Sequence, residues 1–231
     1  MELTLDPKMR DAALNVCEEM IAHMKTCEFA KTKTYKKHCT TGHAKDPNIK
    51  FDAVNGVVDI NVALKKAIST FMTYGASVNE KSPKQVLEST IFMKMFFYAE
   101  SDKANFDKLL KEEEFEDIAF ALVSGTRSPA PMIVQHRLIC GYGSIKKIDG
   151  KVYMCAKNLE CPALAGYVTG NLINSTIILE DVAGKTRVTQ FQLCDPSGNI
   201  PGWIYNTALD ARNDILLLLK GFLEGEIKPE F

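Results

Sequence analysis

The chain has 231 residues, 46% of them hydrophobic and 25% charged, and 28 basic against 29 acidic side chains leave a formal net charge of −1. This is a globular composition, sized for one large domain or two small ones, and its charge balance argues against a dedicated nucleic-acid binder, which carries a basic excess. No run approaches the ~18 consecutive apolar residues of a membrane-spanning helix, and the start Met1-Glu-Leu-Thr-Leu-Asp6 lacks the basic flank of a secretion signal.

Asp6-Pro7 opens a helix expected over about 6–26, with Asp6 as N-cap and Met9, Ala13, Val16, Met20 and Met24 on one apolar stripe. Lys31 to Cys39, polar and rich in β-formers, reads as an exposed strand, and Asp46-Pro47-Asn48 as a turn. Phe51 to Ile60 is a second strand region, interrupted at Asn55-Gly56. Helical spacing returns through Ile60, Leu64, Ala67, Ile68, Phe71 and Met72, with Gly75 as its stop. Ser82-Pro83-Lys84-Gln85 has capping-box spacing, followed by Leu87, Ile91, Met95 and Tyr98; the run 91–98, apolar nearly all round, reads as a buried helix or as helix running into strand, with helix preferred. Glu112 to Asp117 is an acidic, solvated stretch.

From Ile118 onward the chain is strand-like. Ile118–Val123, Met132–Cys140, Val152–Lys157, Tyr167–Glu180 and Arg187–Cys194 are β-rich runs separated by Gly, Pro, Asn or Asp, which suggests an antiparallel meander. A final helix over about 201–223 places Ile204, Ala208, Ala211, Ile215, Leu218, Leu219 and Phe222 along one face. The expected fold class is α+β, in a single domain 1–231. In it a curved antiparallel sheet wraps a long C-terminal helix, and any gap between them becomes an internal cavity.

Motifs for chemistry are sparse. His23, His38, His43 and His136 accompany no Gly-x-Ser-x-Gly elbow. His38-Cys39 with His43 lacks a fourth ligand and zinc spacing. Gly-Tyr142-Gly143-Ser144 is no phosphate loop and reads as a hairpin connection. Lys31, Lys33, Lys36 and Lys37 form a basic group that either touches anionic headgroups or is a solvated strand face. Seven scattered cysteines without a Cys-x-x-Cys pair predict reduced thiols and a cytoplasmic location. No cofactor, metal or catalytic set is expected.

Three segments resemble the START (steroidogenic acute regulatory protein-related lipid transfer) family. Gly184-Lys-Thr-Arg-Val-Thr-Gln-Phe-Gln-Leu-Cys-Asp-Pro-Ser-Gly198, continuing Asn199-Ile-Pro-Gly-Trp-Ile-Tyr-Asn-Thr-Ala-Leu209, is similar to the family's last strand, its Asp-x-x-Gly turn and the start of its closing helix. Gly166-Tyr167-Val168 after Cys161-Pro162 matches a strand opening, and Ser128-Pro129 stands where the family has Ser-Pro-Arg-Asp-Phe, although Ala130-Pro131 replaces the Arg-Asp pair.

The resemblance, which covers about 128–224, implies a helix-grip fold that holds one lipid of the sterol, phospholipid or ceramide class. The protein would then be non-catalytic, a monomer, and in transient contact with membrane surfaces. The family's buried arginine aligns with His136, which shares a strand face with Val134; the imidazole either anchors a ligand or is an ordinary strand histidine. Asn171, Ile173 and Ser175 on one strand, and Thr189 and Phe191 on another, align with cavity-facing positions, while alternation alone allows either face. From the closing helix, Ile204, Ala208, Ala211 and Ile215 join the set of ligand-binding residues. Ile145 beside Lys146 and Lys147 marks a loop tip that touches membrane or is an incidental surface isoleucine. Two alternatives remain: a lipid-sensing module that never transfers, and a helix-grip enzyme using His136.

Overall fold

The structure is a computed structural model that describes residues 2–78, 90–128, 134–198, 200, 205 and 209–226. Asp6 accepts the Lys8 amide at 3.0 Å, with Pro7 leading the first turn, so the helix opens where the sequence predicts. The helix is jointed: a 3-10 turn Pro7–Met9, then α1 (Arg10–Leu14) and α2 (Val16–Thr26), with the break at Asn15. Next come β1 (Glu28–Phe29), β2 (Lys33–Tyr35), β3 (Cys39–Lys45), β4 (Ala53–Ile60), α3 (Leu64–Ala76), β5 (Ser77–Val78), β6 (Thr90–Phe97) and α4 (Glu100–Leu110). The second half holds β7 (Ile118–Thr126), β8 (His136–Ile148), β9 (Lys151–Asn158), β10 (Tyr167–Val182) and β11 (Lys185–Asp195). A 3-10 turn Asp210–Asn213 leads into the C-terminal helix α5 (Asp214–Leu223), so the α-helix begins at Asp214 and not near 201 as expected; 201–204 and 206–208 lie outside the described residues.

The strands form one eleven-stranded sheet in the order β1-β3-β4-β11-β10-β9-β8-β7-β6-β5, with β2 added on β3. It is open, and its pairs are antiparallel with one exception. β9 is short, and beyond its end the first residues of β10, Tyr167 to Gly170, run parallel to His136–Ile139 of β8. Near the same place β10 carries a bulge between Leu172 and Asn174, where the Asn158 side chain accepts the Leu172 amide at 3.3 Å.

Side-chain alternation divides the sheet into two faces. The inner face packs α3, α4 and α5 over Val58 and Ile60 of β4, Val188 of β11, Leu179 of β10, Val152 of β9, Ile145 of β8 and Phe120 of β7. The outer face carries α1 and α2, held by Cys17, Met20 and Cys155 and by smaller clusters around Ala119, Ala121 and Leu138. One ion pair is deep: Arg10 Nε and Nη2 each meet the fully buried Asp102 of α4 at 2.9 Å.

Several sequence expectations change. The run through 91–98 is strand β6, not helix, because Phe92–Phe97 pairs with Phe120–Gly125 of β7, which supplies backbone partners that a helix would find within itself; the Ser82 capping box lies outside the described residues. Ile60 closes β4 and the helix begins at Leu64, running past Gly75 to Ala76. Asn55-Gly56 does not interrupt β4, since both residues pair across to β3 and β11. Tyr142 to Lys147 lies inside β8, whose hairpin turns at Asp149-Gly150, both with positive φ. Ile145 is therefore fully buried and is no membrane-touching tip, while Lys146 bonds Glu18 at 2.8 Å.

The thiols also differ from expectation. Cys140 on β8 and Cys161, in the segment after β9, form a disulfide on the outer face, beside Leu3, Leu159 and Leu164. The other five cysteines are free and buried. With a sequence separation of 21, closing that loop contributes about 3 kcal/mol by the chain-entropy relation. A Cys140→Ser, Cys161→Ser double variant is expected to lose about that much in urea unfolding. An unchanged midpoint would show that the outer cluster alone holds this segment.

Candidate functional site

The inner face is unevenly sealed. Beneath α5, Val58, Ile60 and Val188 are sealed, with Leu216 and Leu219 above them. On β7 to β10 the sealed inner residues Phe120, Ile145, Val152 and Leu179 are joined, farther along the strands, by inward-facing apolar side chains that stay partly accessible: Ile177 on β10, Met154 on β9, Ile139 on β8, Leu122 on β7, with Met95 and Phe97 on β6. Ile215 and Leu217 of α5 share that partial burial. Interior strands with accessible apolar side chains are the lining expected of a space that takes an apolar guest.

The C-terminal segment is clamped to the sheet by polar contacts from both its ends. Asp210 bonds Lys33 at 2.5 Å, His43 Nε2 at 3.0 Å and the Thr41 hydroxyl at 3.4 Å. Asp214 receives the Tyr35 hydroxyl at 2.9 Å and the Lys36 ammonium at 2.8 Å. Asn213 donates to Thr41 Oγ1 at 2.7 Å, and its Oδ1 sits so close to Gly56 that a Cβ there would lie 2.0 Å away. At the far end, Lys220 bonds the Asp59 carbonyl at 2.9 Å and Glu224 at 2.7 Å, and Glu224 accepts the Asn61 amide at 2.7 Å. Lys33 and Lys36 of the basic group are thus engaged with acids of the closing segment.

Burial would raise the Asp210 and Glu224 carboxyls. The bonds from Lys33 and His43, and from Lys220 and the Asn61 amide, outweigh it and hold both below the usual range. A carboxyl lowered on folding stabilises fully above its unfolded pKa, and that contribution is lost as pH falls through the lowered folded value. Acidification below about pH 4 is therefore expected to loosen α5. Hydrogen exchange at pH 5 and pH 3, corrected for intrinsic rates, should show amides 214–223 losing protection first; uniform loss across the chain would contradict it.

Only some of the expected ligand residues share the inner face. Ser175 does, by alternation with Ile177, and Ile215 packs into the main core. Thr189 and Phe191 face outward, because Val188 and Gln190 pair with Val58 and Gly56 on the inner side. Phe191 packs with Cys27, Ala44 and Leu193, its ring centroid 6.0 Å from Phe29. The β10 bulge breaks the expected alternation of Asn171, Ile173 and Ser175. Asn171 and Ile173 line an outer, open cleft of ≈ 470 Å³ with Lys50, Lys157, Asn158 and Asp195. Val134 lies in a bend before β8. Ile204 and Ala208 lie outside the described residues, and Ala211 is described only as part of the 3-10 turn.

His136 is also on the outer face, where Nδ1 accepts the Ser128 amide at 3.1 Å and the ring lies 5.7 Å from Tyr167. The next residue, Arg137, has the inner-face register of Ile139. Its guanidinium donates to the carbonyls of Pro196 at 2.6 Å, Gln135 at 2.6 Å and Ser197 at 3.3 Å. Among the described residues it has no carboxylate partner, and burial lowers its pKa. Counting alternation back from Ile145 and Ile139 would have found it in the sequence.

Comparison with known proteins settles the architecture. Human StAR-related lipid transfer protein 5 superposes with a TM-score of 0.66 at 14% identity, over 95% of this chain and 96% of that one. A STAR-related lipid transfer protein fragment from Xanthomonas axonopodis gives 0.62 at 14% identity, over 86% and 99%. The human StarD13 (DLC2) lipid transfer and protein localization domain gives 0.60 at 11% identity, over 95% and 98%. The fold is START-like. No family model matches the sequence, and no curated protein matches it significantly. At these identities the helix-grip architecture, an open antiparallel sheet with a C-terminal helix on its inner face, is what the likeness establishes.

Proposed function

We propose that this chain binds one lipid non-covalently between the inner face of its sheet and α5, and carries it between membranes through transient contact with their surfaces. The observation that supports this most is the uneven inner face: sealed around Val58, Ile60, Val188, Leu179, Val152, Ile145 and Phe120, but carrying partly accessible apolar side chains on each strand from β6 to β10. A hydrocarbon tail gains roughly 0.8 kcal/mol per CH₂ on leaving water, so such a lining is a sufficient driving force without any chemistry. Among the described residues no helix is long and apolar enough to cross a membrane, as suits a carrier that must leave the bilayer with its load. The protein would act as a monomer without a cofactor.

With His136 on the outer face, the enzyme alternative loses the residue that motivated it. The polar anchor is Arg137, at the end of the inner face, where its remaining donor capacity meets a carbonyl, hydroxyl or phosphate of the ligand head. The cytoplasmic placement loses its original support, since the Cys140–Cys161 bond is of a kind that oxidising compartments preserve.

Native mass spectrometry after exposure to sterol, phospholipid and ceramide vesicles should show one lipid per chain. No bound lipid of any class would overturn the reading. A donor-to-acceptor vesicle assay distinguishes a carrier from a module that senses lipid without moving it. Arg137→Gln is expected to weaken retention of the bound lipid about tenfold, the worth of one hydrogen bond to a charged group; equal retention would remove Arg137 from the site.

A further inference from the structure

The outer face holds a cluster that the lipid reading does not use. His23 and Cys27 stand four residues apart at the end of α2, so both project to one side of that helix. The turn between β3 and β4 brings Asp46 to them, with its Oδ2 2.6 Å from His23 Nε2. The imidazole, thiol and carboxylate donor atoms all lie within 4.8 Å of one another. Cys27 is 6% and Asp46 7% exposed.

The charges at this place are unbalanced. Among the described residues, Asp46 is a buried carboxylate with no lysine or arginine in contact; its partners are His23 and the Asn48 amide at 2.7 Å. A divalent ion among the three donors would meet the Asp46 carboxylate and a Cys27 thiolate with opposite charge where no described lysine or arginine does.

We propose that His23, Cys27 and Asp46 form a zinc(II) site, with nitrogen, sulfur and oxygen as three of its ligands and a solvent molecule as the fourth. Borderline-soft zinc accepts this mixed donor set, while calcium and magnesium prefer oxygen alone. Tetrahedral zinc with bonds of about 2.0–2.3 Å keeps its donors roughly 3.3–3.7 Å apart, so the His23–Asp46 contact opens by about 1 Å as the ion enters. The His23 side chain, 23% exposed, supplies the entry path.

The proton balance follows from the second layer. In the empty site Asn174 donates to the Met20 carbonyl at 2.9 Å and to His23 Nδ1 at 3.0 Å, so the ring proton is on Nε2 and points at Asp46. With zinc on Nε2, that proton moves to Nδ1, and Asn174, whose Oδ1 accepts the Thr176 hydroxyl at 2.8 Å, gives up its bond to the ring and keeps the one to the Met20 carbonyl, leaving Nδ1–H to a solvent molecule. The Cys27 thiol releases its proton as the Zn–S bond forms. One proton therefore leaves per zinc bound, and no redox step is involved. The ion would tie α2, the β3–β4 turn and, through Asn174, the β10 bulge into one unit.

Cobalt(II) reports the site directly, because thiolate ligation gives a charge-transfer band and tetrahedral geometry gives intense visible bands. Titration of the full chain under argon without reductant, which keeps Cys140–Cys161 intact, should show both bands at one equivalent, bleached by zinc. Cys27→Ser should abolish the charge-transfer band, and Asp46→Asn should weaken zinc at least tenfold, with circular dichroism confirming that both variants fold. Zinc should raise the melting temperature of the parent and not of Cys27→Ser. Absence of the charge-transfer band in the parent, or an equal band in Cys27→Ser, would overturn the proposal.

Discussion

Replacing Arg10 by alanine is expected to cost about 1–3 kcal/mol, the worth of hydrogen bonds to a charged group, because Asp102 is fully buried while the Arg10 side chain is 34% exposed. Asp102 is fully buried on α4, and besides its two bonds from Arg10 it accepts the Ala119 amide at 3.1 Å. Removing the guanidinium leaves a carboxylate with one neutral protein donor, reached by water only through the gap that the partly exposed Arg10 side chain vacates. The pair joins the N-terminal helix to α4 across the edge of β7, so its loss should also free the first turns of the chain. Urea unfolding monitored by circular dichroism measures the cost. Arg10→Ala, Asp102→Asn should recover part of it, since the amide is neutral and still accepts from Ala119. A loss below about 1 kcal/mol would class the pair with ordinary surface bridges.

Locking α5 onto β4 is expected to slow lipid exchange at least tenfold. A Cβ built at Gly56 falls 2.7 Å from Asn213 Cγ, so Asn213 Cβ lies one bond further off, at a separation a disulfide spans. Gly56→Cys, Asn213→Cys therefore gives a bond that oxidation closes and a mild reductant opens. Vesicle-to-vesicle transfer should be slow when oxidised and recover when reduced, with each single variant unaffected by either treatment. Equal rates in both states would show that lipid enters without α5 moving. Gly56→Val forces the same contact apart, and should lower stability by about 1–3 kcal/mol as an overpacked site does.

Where sequence reasoning succeeded, the local signal and the tertiary environment agreed. The Asp6-Pro7 cap and the strands after Ile118 each carry a turn residue or a period that the packing also requires, and the C-terminal helix exists where expected but starts only at Asp214. It failed where one residue decides the outcome. The apolar run ending in Phe96-Phe97 has no polar face, so periodicity cannot separate strand from helix, and β7 chooses strand by supplying partners. In β10 one bulge residue flips everything before it, which puts Asn171 and Ile173 on the outer face while Ser175 stays inside. In β8 the inner-face register falls on Arg137 and not on His136, one residue away. The His23, Cys27 and Asp46 cluster left no sequence signature, because its third member comes from a turn that only strand pairing brings back to α2.

The loss of β9 partway along the sheet has a geometric consequence. Where β8 and β10 meet directly, at His136–Ile139 and Tyr167–Gly170, the sheet is one strand narrower than at its other end. A curved sheet that loses a strand along its length is a cone rather than a trough. Arg137 stands at the apex, and the hairpin at Asp149-Gly150 belongs to the wide rim. Toward the rim the inner side is filled by Ile145, Val152 and Leu179, so the partly accessible Leu122, Ile139, Met154 and Ile177 stand between that plug and Arg137.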